Sequence, residues 1–532
     1  MTQNRNIIDV ASISVEDSLL IRDQLKRVLA SVYFKNAEQQ KKFLHYIVEK
    51  TLTGESKQLK QYTIAIEGFG MAESFDADTN PLVRINAGRT RKKLEAYYAK
   101  KEISDLLLIT LPKGSYTPLF TKNLIPQKEL ISENYSLAPK LAVMCYTDKT
   151  QNKTSNRLVF HVTDTLAKEL SRFVLTRIVL SIPHGDKSDS AYAASEIKEL
   201  FQADYMLAFY IQQLPQKQYL LLCRILDVET KEVIWSDTYD IDINEPFHKQ
   251  TKIIGSITAA ASDIQQGLLY QHWVKKLMRN EASIPDHFKA LVYYRKYIDD
   301  LSVTALQKGV DVCQQYLQKN PSDVISNIIL ADLCRRNYVY AFTSSEISLE
   351  LGRKCALKAV NAKPDSHEAH YVLGQILFCL DEKVHALNEF KITRDLCQYH
   401  AYIEFGVGFH LFFMGEREQG MVLIDKVLAL SSNYPSWFNV VPFCNYFLQK
   451  KYDKALEYAL IIDAPILFSG AMVRCMVYIK LGQVEKAKKE LQDALKNMPD
   501  LMEKGEQRLV RYFGSEELAK EFWQGIVIAS ES

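Results

Sequence analysis

Apolar positions in the first hundred residues recur at helical spacing. Phe43, Leu44, Ile47 and Val48 share one face of a helix predicted over residues 40–52, and a shorter amphipathic helix is predicted over 21–29. A third helix, over 82–100, carries a narrow inward stripe of Val83, Ala87, Thr90, Leu94 and Tyr97. Thr79-Asn80-Pro81 precedes it, a capping side chain followed by a proline suited to the first helical turn. Within residues 106–120, two β-prone runs flank Pro112-Lys113-Gly114, a turn-forming sequence, so a hairpin is predicted. A polar connector then runs from about Thr121 to Ala138 and reads as a linker.

The next stretch alternates two periods. Strands are predicted at 140–145, 177–182 and 235–239, helices at 162–173, 194–201 and 245–270, and a hairpin from 205–212 and 219–227 joined by the polar turn 214–218. From about residue 280 the pattern is helix after helix, with an internal repeat. Pro465 and Pro499 lie 34 residues apart, and Pro364 and Pro435 lie 71 apart, close to two such periods. In the last unit Gly482 sits at a turn and Ala487, Leu491 and Ala494 follow at helical spacing; Gly408, Gly415, Gly420, Ile424 and Val427, and Leu373, Gly374, Ala386 and Phe390, repeat the theme earlier.

These residues resemble the tetratricopeptide (TPR) pattern, in which small residues let paired helices approach and a bulky one fills the gap. The resemblance is specific for residues 365–500 and weaker over 285–364. It implies a stacked solenoid with a concave groove suited to a protein or peptide ligand. In the middle stretch Leu141-Ala-Val, Asp164-Thr-Leu-Ala-Lys-Glu-Leu, Ala203-Asp-Tyr, Leu226-Asp-Val-Glu-Thr and Val233-Ile-Trp-Ser-Asp-Thr-Tyr239 are similar to the TolB amino-terminal-like domain. The segment from Phe75 to Leu94 resembles the recognition-helix region of OmpR-type winged-helix regulators, and Ile109-Thr-Leu-Pro-Lys-Gly-Ser-Tyr116 their closing wing. The implied fold class is multidomain α+β. Its parts are a winged-helix-like domain over 1–122, a linker over 123–138, a TolB-like α/β domain over 139–273 and an all-α TPR solenoid over 274–532.

Composition narrows the function classes. Hydrophobic residues make up 47% and charged residues 24%, an ordinary globular balance. Near-apolar runs reach only about ten residues, where a membrane span needs roughly 20. The opening lacks a basic stretch followed by an apolar one, so no secretory signal and no membrane association are expected. Nine cysteines form no CxxC pair, which fits buried thiols of a cytoplasmic protein.

The formal net charge of +2 says nothing about partners, but its distribution does. Residues 82–101 hold seven Lys/Arg against Glu95 alone, a local excess of +6. Crowded like charges on one helix repel, so an anionic partner is inferred, with Arg and Asn suited to base edges and Lys to phosphates. Arg84, Asn86, Arg89, Arg91, Lys92 and Lys93 lie off the inward stripe. By the winged-helix resemblance Arg84, Asn86, Arg89 and Lys92 or Lys93 face double-stranded DNA, with Lys113 and Tyr116 on the wing, and Arg91 is counted among the DNA-binding residues.

Other chemistry is not expected. Gly68-Phe-Gly70 and Gly406-Val-Gly408 lack the context of a phosphate loop, and His367 and His370 lack further metal ligands. Asp204 and Asp227 suit strand-end turns, and no catalytic serine or cysteine setting occurs. The reading is therefore a non-enzymatic transcriptional regulator with no cofactor or metal, in which the solenoid receives the signal. The alternative is a scaffold whose basic domain docks a protein.

Overall fold

The computed structural model describes residues 8, 13, 15–31, 33–76, 79–98, 107–122, 138–147, 153–175, 177–180, 198, 201–214, 219–241, 251–262, 267–342, 347–397, 400–430, 434–463 and 470–532. Two compact units divide the chain, Met1–Glu133 and Asn134–Ser532, and the division falls inside the connector foreseen from the sequence.

In the first unit, α1 (Val15–Ala30), α2 (Glu38–Leu52) and α3 (Leu82–Tyr98) pack with a hairpin of β1 (Leu107–Thr110) and β2 (Leu119–Lys122). The strands are antiparallel, with Ile109 opposite Phe120. The Ile8 amide donates to the Phe120 carbonyl at 2.9 Å, which places Ile8 on the hairpin edge. The apolar stripe of α3 is buried as its spacing demands, and Asn80 caps the helix by accepting from the Leu82 amide at 3.0 Å. The Tyr98 hydroxyl joins three elements. It accepts from the Gln24 side chain of α1 (3.1 Å) and from the Ile109 amide of β1 (2.9 Å).

The second unit begins with a five-stranded sheet in the order β4-β3-β5-β6-β7. Its strands are β3 (Lys140–Thr147), β4 (Arg177–Leu180), β5 (Tyr205–Gln213), β6 (Tyr219–Asp227) and β7 (Val233–Ile241). β3 pairs in parallel with β4 and β5, while β5-β6 and β6-β7 are antiparallel, the first of these pairs being the foreseen hairpin. Leu141 to Val143 are fully buried, as an inner parallel strand requires. Two helix boundaries need correction. α4 spans Lys153–Leu170, beginning nine residues before the predicted start. The predicted helix over 245–270 is instead α5 (Thr251–Ser262) and α6 (Leu268–Met278), with Gly267 in extended backbone starting the second. α6 runs unbroken through positions 273 and 274, the boundary foreseen between the last two domains, and the sheet and the helices beyond it belong to one unit. The helix foreseen at 194–201 lies mostly outside the described residues.

Fourteen helices follow among the described residues, in seven pairs. They are α7 (Asp286–Asp300) and α8 (Val303–Lys319), α9 (Val324–Tyr340) and α10 (Leu349–Ala362), α11 (His367–Cys379) and α12 (Lys383–Leu396), and α13 (Ala401–Phe413) and α14 (Arg417–Leu430). The remaining pairs are α15 (Val440–Leu448) and α16 (Tyr452–Ile461), α17 (Gly470–Lys480) and α18 (Val484–Asn497), and α19 (Leu501–Phe513) and α20 (Glu516–Glu531). Among the described residues every within-pair turn contains one residue in the left-handed region: Leu301, Ala341, Asp381, Gly415, Lys450, Gly482 and Gly514, from 32 to 40 residues apart. Small residues set the approach within pairs, as the spacing implied. A Cβ on Gly420 would stand 2.7 Å from the Gly408 carbonyl oxygen, and one on Gly374 would stand 2.7 Å from the Phe390 ring.

Two sets of bonds fold the unit onto itself. Arg172 beyond α4 donates to the Leu396 carbonyl at 2.7 Å, and Phe173 packs edge-on to His367. At the other end, Arg508 and Arg511 of α19 donate to the carbonyls of Tyr340 (2.8 Å) and Tyr338 (2.7 Å) at the end of α9.

Candidate nucleic-acid interface

α3 turns one face to the core and one to solvent. The exposed face holds Arg84, Ile85, Arg89 and Lys92, with Gly88 among them. Among the described residues, no atom outside the helix's own backbone lies within 4 Å of where a Gly88 Cβ would stand. Ile85 is 45% exposed, an apolar side chain of the kind that packs on a thymine methyl in a major groove. The sequence reading passed it over. The available signal was an isoleucine placed off the inward stripe of an otherwise basic helix.

The other residues expected to face DNA are held within the unit. Asn86 corrects the reading most: it is 4% exposed, and its side chain accepts from the Gln40 amide of α2 at 2.5 Å and donates to the Leu82 carbonyl at 3.0 Å. An amide in that position is a clamp between α2 and α3 and cannot reach a base edge. Arg91 is half-buried and donates to the carbonyls of Leu111 (3.0 Å), Pro112 (3.0 Å from Nη2) and Ser115 (3.0 Å). It ties the turn of the hairpin to α3, where three backbone carbonyls would otherwise lack a charged donor. Lys93 donates to the Tyr33 carbonyl at 2.6 Å, and its ammonium lies 5.9 Å from the Phe34 ring centre.

On the hairpin, Lys113 is exposed at the turn, and Gly114 takes φ +83°, which a larger residue would adopt only under strain. Tyr116, expected on the wing surface, is half-buried and packs edge-on to Phe43 with ring centres 6.3 Å apart. Burial raises its hydroxyl pKa, against a bond to Gln61 and the charges of Arg84 and Arg91. The turn of the hairpin therefore adjoins α2 and α3, and the cations exposed on α3 and the turn are Arg84, Arg89, Lys92 and Lys113. Such a surface can hold phosphates and present guanidinium groups to base edges.

The motifs set aside earlier take structural places. Asp204 accepts from the Lys140 amide at 2.9 Å, and Asp227 accepts from the amides of Glu229 and Thr230 at 2.9 Å, the strand-end roles foreseen. His370 lies between Glu389 (2.6 Å) and the Pro364 carbonyl (3.0 Å). His367 is buried, and among the described residues neither ring nitrogen has a hydrogen-bond partner. Among the described residues no group of three or more His, Cys, Asp or Glu is placed to hold a metal ion, and no helix is long and apolar enough to cross a membrane. Compared with known proteins, the chain matches no protein-family model and no curated protein sequence.

Proposed function

We propose that the first unit binds double-stranded DNA and that the chain is a DNA-binding regulator whose second unit receives a signal. The carrying observation is the solvent face of α3, where Arg84, Ile85, Arg89 and Lys92 stand together beside a hairpin bearing Lys113. Asn86, Arg91 and Lys93 support this reading indirectly, because their bonds stiffen the helix and hairpin that present those residues. A rigid platform loses less entropy on binding. Lys/Arg contacts to phosphate release counterions, so affinity should fall steeply with salt.

The test is a mobility-shift titration of the full chain on random-sequence and selected duplexes at several salt concentrations. Arg89→Ala with Lys92→Ala is expected to lower affinity by roughly tenfold or more and to reduce the log–log salt slope by about two. Circular dichroism should be unchanged, since neither side chain holds the fold. If the wild-type chain ignores duplex DNA in dilute salt, or the double variant binds as well as wild type, the proposal falls.

A further inference from the structure

The helix pairs of the second unit line a half-open cavity of about 500 Å³ that the reading of α3 leaves unused. That volume lies within the range of small-molecule sites. Its wall is closed on one side by α19, where Arg511 lies 4.5 Å over the Tyr338 ring of α9 while donating to that residue's carbonyl. Tyr512 packs on Phe409 of α13 with ring centres 5.0 Å apart. The result is a half-open pocket with α19 along one side.

The lining has a definite chemistry. Tyr402, Phe409 and Trp437 contribute flat rings. Three guanidinium groups, Arg335, Arg336 and Arg511, line the same cavity, against the Asp463 carboxylate in its wall. The buried Asp332 behind the lining takes both Arg335 (2.6 Å) and Arg336 (2.6 Å), and also accepts from the Tyr294 hydroxyl. Three cations thus meet two carboxylates, and one positive charge is left over in the lining. His410, also in the lining, adds none: burial holds its pKa down at about 3, against a bond to the Gly406 carbonyl and with a further lowering by Arg335.

The second observation is Gln375. It is 8% exposed and lines the cavity, and its amide makes no hydrogen bond to any described residue. Its amide stays open to the cavities it lines, so the group is available to a polar ligand. We propose that the cavity is a binding site for a small organic acid with a flat aromatic body. Its acidic group sits on Arg335 and Arg511, its ring lies among Tyr402, Phe409 and Trp437, and the Gln375 amide completes the polar contacts. The site lies wholly within the second unit, so it stands or falls separately from DNA binding.

The full-length chain is titrated with 1-anilinonaphthalene-8-sulfonate and with its uncharged counterpart N-phenyl-1-naphthylamine, following fluorescence, with calorimetry for stoichiometry. Saturable uptake of one sulfonate per chain is expected, with the neutral probe at least about tenfold weaker. Arg511→Gln and Gln375→Leu should each weaken the sulfonate by roughly tenfold at an unchanged melting temperature. Should Arg511→Gln loosen α19, Gln375→Leu still decides the matter, since it breaks no bond within the described protein. Unsaturable or multiple binding, equal affinity for the two probes, or full affinity in a folded Gln375→Leu chain overturns the proposal.

Discussion

A buried histidine couples this fold to pH. His400 caps α13 by accepting from the Ile403 amide at 3.2 Å. Burial first and the neighbouring His367 second hold its pKa down, from an ordinary 6.5 to about 3. The folded chain therefore refuses a proton that the unfolded chain accepts between those values. The stabilisation is complete above pH 6.5 and is lost progressively as pH falls toward 3. One such group contributes a slope of about 1.4 kcal/mol per pH unit in that window. His400→Asn retains a capping side chain and removes the titration. Its urea midpoint is expected to fall less than that of wild type between about pH 6 and pH 4.5; an identical fall would refute the assignment.

Asn86 and Ile85 show how far single residues can be read. Periodicity puts Asn86 off the stripe and offers no reason to prefer it to Ile85 as a buried group. Gln40, forty-six positions away, answers the Asn86 amide and makes its burial tolerable. Nothing near residue 86 in the chain announces that partner.

At the level of elements, the left-handed turns explain why the repeat was plain after residue 365 and faint before it. Glycine marks the turn only at Gly415, Gly482 and Gly514; Leu301, Ala341, Asp381 and Lys450 hold the same backbone conformation in the other pairs. A repeat search led by glycine misses those turns, although the helices around them pair in the same way. L-residues bear a cost of about 1–2 kcal/mol in that region. Lys450 is exposed at φ +60°, so Lys450→Gly relieves that cost while losing some entropy. A net gain of about 0.5–1 kcal/mol is expected in chemical denaturation, and a loss would show that the lysine side chain has a packing role. The predicted helix over 245–270 failed for a related reason. An apolar period can continue across a break such as the one at Gly267.

For the whole molecule, the decisive contacts join distant parts of the second unit. Arg508 is 4% exposed, bonds Asp500 twice (2.7 and 2.6 Å), and donates to the Tyr340 carbonyl across 168 positions. Arg508→Met keeps most of the volume and removes the charge-assisted bonds, at a cost of about 2–3 kcal/mol. The melting temperature should drop and the end of α9 should become open to limited proteolysis. A melt within a degree or so of wild type would mean that the α19–α9 junction adds little.

From the chain of residues alone come the helices of the first unit, the hairpins, the cationic run on α3 and the repeated helix pairs. Each rests on interactions between positions a few residues apart, which periodicity, caps and turn residues record directly. Folding decided which of those cations stay in water and which brace the hairpin, that Asn86 turns inward, and that α19 lines one side of a half-open pocket. Those outcomes depend on which side chains meet across tens to hundreds of positions. Burial strengthens or forbids a charge only once such a partner has arrived.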